Sequence, residues 1–204
     1  MPRKKFIPSP FYFYHIYNRS NQGHWYSIPI NEVWLFTNEA LMRAHSKWPV
    51  QIAQFVLMNN HYHMVLKTPD LNLDKFMYEF AKSFSLKIRT SSKLKNRMFS
   101  GRYKWSLIEN QSHLEIVYYY VYNNPVRANI VTHYWEYQFS TANPNSNFFI
   151  KIDSLFSNEQ NTNQKSSTER TGEHPEIIES IKRGLKKTIF KPVIRNCIKN
   201  IIIK

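Results

Sequence analysis

Two apolar, β-prone segments joined by a pair of asparagines constrain the fold more than any other feature of this sequence. Residues 51–58 read Gln-Ile-Ala-Gln-Phe-Val-Leu-Met, the pair Asn59-Asn60 follows, and residues 61–67 form a second apolar run. Such runs favour strands, and asparagine tolerates the backbone angles of a tight turn. The sequence therefore predicts a β-hairpin over these residues.

Strand and helix patterns alternate on both sides of this hairpin. In chain order, the predicted elements are a strand over 10–18, a helix over 31–47 with Asn31 as its cap, the hairpin, a helix from Asp70 or Asn72 to about Thr90, a strand over 102–109 and a helix over 112–124. Proline cannot continue a helix, so Pro125 must end or kink the last one. The order β-α-β-β-α-β-α predicts an α+β protein with a ferredoxin-like antiparallel sheet and helices packed on one face.

Composition divides the chain into three parts. Residues 1–150 hold the predicted elements. Residues 151–172, which are rich in Asn, Gln, Ser, Thr and Glu, predict a polar linker or a disordered segment. Residues 173–204 predict a basic C-terminal extension that contains an amphipathic helix over 175–190.

The positive charge of the chain is concentrated in two segments. The formal net charge is +14, from 28 Lys and Arg against 14 Asp and Glu. Residues 82–104 and residues 182–204 each hold eight basic residues and no acidic one. Solvated faces are one explanation of such runs, and a phosphate-binding surface is the other. The charge points to an anionic partner, with nucleic acid first and an acidic membrane surface second.

Some classes of protein are excluded or disfavoured by what the sequence lacks. One cysteine, Cys197, excludes an intramolecular disulfide and a cysteine-based metal finger. Four glycines in all make a phosphate-binding loop unexpected. No long apolar run precedes the polar residues 18–24, so we expect neither a signal peptide nor a membrane-spanning helix. We therefore expect an intracellular protein.

His61 and His63 form the first candidate site. Alternate residues of a strand share one face, so the two imidazoles point to the same side and could hold one divalent metal ion. Two half-exposed histidines without a ligand are the alternative, and the spacing alone does not decide between them.

A tyrosine-rich helix forms the second candidate site. Tyr118, Tyr119, Tyr120 and Tyr122 occupy four of five positions, so they cover every side of a helix and cannot all be buried. Asn124 follows Tyr120 by four residues, which places both on one helical face, where the amide oxygen could complete a metal site. An aromatic helix packed on the sheet is the alternative.

Both candidate sites lie in segments that resemble the single-tyrosine HUH transposases. Residues 55–66, FVLMNNHYHMVL, are similar to the segment YVLMPNHVHLLV of that family, and residues 120–128, YVYNNPVRA, to its segment YIHLNPVRA. The closest branch is that of the REP-associated tyrosine transposases, within the IS200-like group. Shorter matches lie at residues 14–21, 101–104 and 137–140, in the same order as in the family. The whole resemblance covers about residues 8–142.

Two differences from the family's motifs are visible. Asn59 replaces the usual proline before the histidine segment, which affects the turn. Tyr122 and Asn123 replace the usual His-Leu, and they leave Tyr120 and Asn124 in register.

The resemblance implies that residues 1–150 form a metal-dependent DNA transposase or endonuclease. Tyr120 would be the nucleophile, and His61, His63 and Asn124 would bind the divalent metal ion, Mg²⁺ or Mn²⁺. Attack by the tyrosine would cleave single-stranded or hairpin DNA of the REP-like palindromic type through a 5′-phosphotyrosine, whose reversal rejoins strands. The resemblance also implies a monomer, with a homodimer as the alternative. It implies a bacterial cytoplasmic protein at the nucleoid, without a membrane partner.

Basic residues near the candidate sites are assigned to DNA. The predicted contacts are Lys82, Lys87, Arg89, Lys93, Lys95, Arg97, Arg102, Lys104 and Arg127, the last three nearer the scissile region. Trp25, Trp34 and Trp105 are candidates for stacking on unpaired bases, although we expect each to pack in the core. Two other functions stay open: a DNA-binding protein of this fold that no longer cuts, and a hydrolase that uses activated water without a covalent intermediate.

Overall fold

A four-stranded antiparallel sheet organises the protein, for which a computed structural model describes residues 6–93, 97–152 and 175–191. The strands follow the order β2-β3-β1-β4 across the sheet, and each neighbouring pair is antiparallel. The α+β, ferredoxin-like sheet is confirmed. The elements in chain order are β1 (Phe13–Arg19), α1 (Ile30–Lys47), β2 (Gln51–Met58), β3 (His61–Lys67), α2 (Leu73–Ser92), β4 (Lys104–Ile108), α3 (Gln111–Tyr122), α4 (Asn124–Arg127) and α5 (Pro175–Leu185).

The first face of the sheet packs against α1 and α2. Side chains alternate between the faces of a strand, so Tyr62 and Met64 of β3 both point toward these helices and are buried. Phe80 and Phe84 of α2, one helical turn apart, pack on the same face, and the ring of Phe80 lies 5.3 Å from that of Tyr62. This face carries the larger part of the hydrophobic core.

The second face of the sheet is covered as well, by α3 and α5. Val56 and Val65 of the hairpin pack there with Val117 and Val121 of α3 and Ile178 of α5. The predicted packing of helices on one face of the sheet therefore applies to α1 and α2. Helices α3 and α5 form an additional layer on the other face. The burial of β2 agrees with this, because every residue from Ile52 to Met58 is buried, as in a strand that is covered on both faces.

The described part of the C-terminal segment packs against the edge strand β4. The backbone N–H of Leu107 donates to the oxygen of Thr188 at 2.9 Å, and that of Phe190 donates to the oxygen of Leu107 at 2.7 Å. Phe190 is fully buried and lies so close to Gly184 that a Cβ there would meet its ring at 2.8 Å. Residues 153–172 of the predicted linker, and residues 173–174 and 192–204 of the predicted extension, with Cys197, lie outside the described residues.

Two boundary predictions are corrected by the structure. The residue that precedes the first turn of α1 is Pro29 and not Asn31, because the extended backbone of Pro29 ends the loop one residue before Ile30 starts the helix. The C-terminal helix ends at Leu185, short of residue 190. Over the described ranges, no helix combines the length and the apolar character that crossing a membrane requires.

Candidate active site

A row of polar side chains crosses the second face of the sheet. Tyr17 of β1 pairs with His63 of β3 on one side and with Lys104 of β4 on the other, and Arg19 pairs with His61. Residues that pair directly across antiparallel strands share a face, so these side chains lie beside one another under α3. The ring centroids of His61 and His63 are 5.2 Å apart, and that of Tyr17 is 4.9 Å from His63.

A third histidine, His15 on β1, lies next to His63. The Nε2 atom of His15 and the Nδ1 atom of His63 are 2.8 Å apart, and His15 is only 3% exposed. This hydrogen bond occupies Nδ1 of His63, so Nε2 is the ring nitrogen that remains for a ligand. His15 was not among the predicted site residues, because a single histidine in an aromatic strand has no sequence pattern that marks it as part of a site. Only the register of β1 against β3 brings it to His63.

The ring of Tyr120 lies over this polar row. Its centroid is 6.0 Å from that of His63, with the two rings perpendicular, and Tyr120 is 7% exposed. The guanidinium of Arg127 lies 4.4 Å from the centroid of the phenol ring and donates to the backbone oxygen of Tyr120 at 2.7 Å. The fold therefore brings a tyrosine, two histidines and an arginine together from β3, α3 and α4.

Asn124 lies beyond the end of the helix that carries Tyr120. α3 ends at Tyr122 and Asn124 begins α4, so the prediction of one continuous helical face is wrong. The reason is Pro125, which has no N–H to donate back to Val121 and so interrupts the helix. Asn124 still adjoins Tyr120, because its Nδ2 donates to the backbone oxygens of Tyr120 and Val121 at 3.1 and 3.0 Å. The oxygen Oδ1, which a metal site would use, takes no part in these two bonds.

Both histidines of β3 are neutral at physiological pH. Burial, together with the nearby charge of Arg19, lowers the pKa of His61 to about 4. Burial is also the largest cause that holds the pKa of His63 well below its usual value near 6.5, and neighbouring positive charge adds to the effect. Neutral imidazole is the form that binds metal ions, so neither histidine would have to lose a proton to act as a ligand.

The phenol of Tyr120 is protonated at neutral pH. Burial raises its pKa above the ordinary value of 10, and the charge of Arg127 opposes the shift in part. The nearby Tyr17 and Glu179 act in the same direction as burial. A nucleophilic role for Tyr120 therefore requires that its proton be lost during the reaction and not before it.

The donor set at the two histidines fits a hard divalent cation only in part. Across the described ranges, no group of three or more His, Cys, Asp and Glu side chains is arranged to hold a metal ion. The Nδ1 of His61 is 2.6 Å from Oδ1 of Asn60, so both histidines have Nε2 available on the shared face. Two imidazoles leave most of an octahedral shell to oxygen ligands, such as an amide, water or phosphate.

Three of the basic residues predicted to bind DNA lie beside the polar row or its tyrosine, and a fourth lines a neighbouring cavity. Lys104 is in the row, with its ammonium 5.8 Å from the ring centroid of Tyr17, and Arg127 contacts Tyr120. Arg97 lines a cavity of about 290 Å³, and Arg102 lines an adjacent cavity of about 550 Å³. Arg102 also forms a 2.8 Å ion pair with an aspartate, so part of its charge is neutralised.

Of the other predicted DNA contacts, Lys82, Lys87 and Arg89 lie away from Tyr120. These three residues are on α2, on the opposite side of the sheet, and Lys87 forms a 2.6 Å ion pair with a glutamate of α1. Lys93 ends α2 in a left-handed backbone conformation, and Lys95 lies outside the described residues. The sequence had grouped these residues by charge, whereas the sheet separates them in space.

The three tryptophans differ in exposure. Trp34 is buried in the first-face core, and Trp105 packs in an edge contact with Phe6, 5.2 Å between centroids. Trp25 is 72% exposed, so the expectation that it packs in the core is wrong. The reason is its place in the loop between β1 and α1, over the turn of the hairpin rather than over a face of the sheet.

Comparisons with known structures identify the fold. A solved structure of a REP-associated tyrosine transposase bound to a REP hairpin matches with a TM-score of 0.60 and 18% sequence identity, over 69% of this chain and 82% of that one. A second protein, from Deinococcus radiodurans R1 and provisionally described as a transposase, matches with a TM-score of 0.41 and 15% identity, over 57% of this chain and 95% of its own. No curated protein sequence matches significantly. The chain thus shares the fold of a tyrosine transposase.

The family model described as "Transposase IS200 like" matches residues 15–124. This is more than half of the chain and includes β1, the hairpin and the helix that carries Tyr120. The chain therefore belongs to the IS200-like transposase family.

Proposed function

We propose that this transposase cleaves and rejoins single-stranded or hairpin DNA through a phosphotyrosine formed on Tyr120. The observation that carries the proposal is the position of the Tyr120 ring, 6.0 Å from His63, on the face that also holds His61. A nucleophile, a cation site and an arginine at one point are the groups that phosphoryl transfer needs.

Tyr120 is the attacking group in this proposal. Its oxygen forms a bond to phosphorus, and the bond from phosphorus to the 3′ oxygen of the preceding nucleotide breaks. The phenol loses its proton and the departing 3′ oxygen gains one, so the products are a 5′-phosphotyrosine and a free 3′-hydroxyl. A second 3′-hydroxyl that attacks the same phosphorus reverses the step and joins two strands without an external energy source.

His61, His63 and Asn124 are the residues that would hold a divalent cation, Mg²⁺ or Mn²⁺. When bound, the cation supplies a Lewis acid that polarises the phosphate oxygens. Arg127 keeps a positive charge beside the Tyr120 ring, which favours the phenolate and the negatively charged transition state. Burial of Tyr120 and of both histidines limits water near the reacting atoms.

A hairpin substrate is supported by the solved transposase with the same fold, which is bound to a REP hairpin. Arg102, Lys104 and Arg127, beside the polar row, are proposed to contact the DNA backbone near the cleaved phosphate, and Arg97, in the neighbouring cavity, to contact it farther along the strand. We place the nuclease domain in residues 1–150 and propose that it acts as a monomer, because both candidate sites come from one chain.

The proposal is tested with a hairpin oligonucleotide that carries single-stranded flanks and a fluorescent label. With Mn²⁺ or Mg²⁺, the wild-type chain should form a covalent adduct that survives denaturation, and a chelator should prevent it. DNA binding without cleavage would contradict the proposal and favour a non-cutting DNA-binding protein. Cleavage without an adduct would favour hydrolysis by activated water.

His15 is predicted to position His63 for the cation. His15→Phe removes the 2.8 Å hydrogen bond and should lower Mn²⁺ affinity by about 10- to 100-fold, because the partners of metal-binding histidines set their orientation. His15→Gln, which can place an amide nitrogen near the original Nε2, should restore most of the affinity. Electron paramagnetic resonance of Mn²⁺ without DNA measures both, and equal affinity in His15→Phe and wild type would contradict this role.

A further inference from the structure

We propose that Trp25 and the cleft beside it bind an unpaired base of single-stranded DNA adjacent to the cleaved phosphate, an inference that rests on the proposed function. Trp25 is 72% exposed on the surface of a protein whose other large aromatic residues mostly pack in the core. Aromatic side chains on a basic surface are the usual platforms on which unpaired bases stack.

The loop that carries Trp25 is held in one conformation by the hairpin turn. The backbone N–H of Tyr26 donates to the oxygen of Asn59 at 2.9 Å, and Nδ2 of Asn60 donates to the oxygen of Gly23 at 2.7 Å. On the other side, the N–H of Asn21 donates to the oxygen of Met98 at 2.7 Å. Because the backbone on both sides of Trp25 is anchored, the loop itself would lose little conformational freedom on binding.

Two neighbouring cavities lie on either side of the loop that follows β1, one beside Trp25 and the other beside the polar row. The first, of about 290 Å³, is lined by Trp25 and Arg97, and the second, of about 550 Å³, is lined by Tyr17 and Lys104. Both include residues of the loop that separates them, among them Gln22. Tyr17 belongs to the polar row, 4.9 Å from the ring of His63. A strand that crosses the loop at Gln22 would pass from Trp25 in the first cavity to Tyr17 in the second, next to His63.

The charge of the two cavities suits the phosphates of such a strand. Arg97 lines the first cavity, and Arg19, Arg102 and Lys104 line the second, whereas neither lining includes an acidic side chain. The volume of the first cavity is near the lower limit of about 300 Å³ for small-molecule pockets. A cavity of this size can accommodate one nucleotide but not a DNA duplex. In a duplex the bases are already stacked on one another, so an exposed tryptophan can stack on a base only where the strand is unpaired.

The test measures DNA binding with metal chelated, so that no cleavage occurs. Fluorescence anisotropy gives the affinity of wild type, Trp25→Ala and Trp25→Phe for labelled oligo-dT and for a duplex of equal length. Trp25→Ala should weaken oligo-dT binding about tenfold and change duplex binding less than about twofold, and phenylalanine should retain most of the affinity. Phe11→Ala is the matched control, because Phe11 is 76% exposed at the opposite end of β1 and should have no effect.

A second measurement assigns the base that contacts Trp25. A single abasic position is moved along the single-stranded flank of the hairpin substrate. In wild type one position should weaken binding, and in Trp25→Ala the penalty at that position should disappear, since a double-mutant cycle isolates the contact. An unchanged affinity in Trp25→Ala, or equal losses for oligo-dT and duplex, would overturn the inference alone. Failure of wild type to bind single-stranded DNA at all would overturn the proposed function.

Discussion

Replacement of Tyr120 by phenylalanine is expected to abolish the covalent protein–DNA adduct and to slow strand cleavage by at least about 10³-fold. The substitution removes only the oxygen that attacks phosphorus, while the ring keeps its contacts with His63 and Arg127. Because the buried ring stays in place, the thermal unfolding temperature should remain close to that of wild type. The measurement is a denaturing gel with a labelled hairpin oligonucleotide and Mn²⁺.

Tyr119→Phe is the matched control for this variant. Tyr119 is the adjacent residue of α3, and its ring packs against that of Tyr118 rather than against the histidines. The control should form the adduct at the wild-type rate. An adduct in Tyr120→Phe, or the same loss in both variants, would exclude Tyr120 as the nucleophile.

Replacement of His61 by alanine should abolish metal binding and lower the cleavage rate about 10²- to 10³-fold. A loss of this size is typical when one group that stabilises the charge of a transition state is removed. The imidazole of His61 is neutral, since its pKa is about 4, and Asn60 engages Nδ1, so Nε2 is the proposed ligand atom. His61→Ala should therefore fail to bind Mn²⁺ in an electron paramagnetic resonance titration, in parallel with its slow cleavage.

His45→Ala provides the comparison for His61→Ala. His45 lies on α1, on the opposite side of the sheet, so its loss should leave both Mn²⁺ affinity and cleavage unchanged. Retained Mn²⁺ binding in His61→Ala would contradict a metal site at this histidine. Circular dichroism of both variants verifies that the fold is intact.

Short-range patterns in the sequence predict the hairpin and the shared face of its histidines. The hairpin over residues 51–67 and its asparagine turn are present as predicted, because tight turns and apolar runs depend on neighbouring residues. The spacing of His61 and His63 predicted their shared face for the same reason. The short helix after Tyr122 was not predicted in this form, although the proline that causes the break was identified.

Features that depend on contacts between distant segments could not be read from local patterns. The bond between His15 and His63 requires the register of β1 against β3, and the sequence of β1 alone does not specify it. The exposure of Trp25 depends on hydrogen bonds that hold its loop on the hairpin turn. Packing of Phe190 against Gly184 and β4 likewise joins residues 175–191 to the sheet, although composition alone suggests a separate extension.

Mass spectrometry of the protein–DNA adduct tests the proposed chemistry most directly. The wild-type adduct, formed on a hairpin substrate with Mn²⁺, is digested with nuclease and protease, and the modified peptide is sequenced. We predict a nucleotide joined through its 5′ phosphate to the oxygen of Tyr120, with a free 3′-hydroxyl on the other DNA product. Attachment to Tyr17, the other tyrosine beside His63, or a 3′-linked nucleotide, would contradict the proposed reaction.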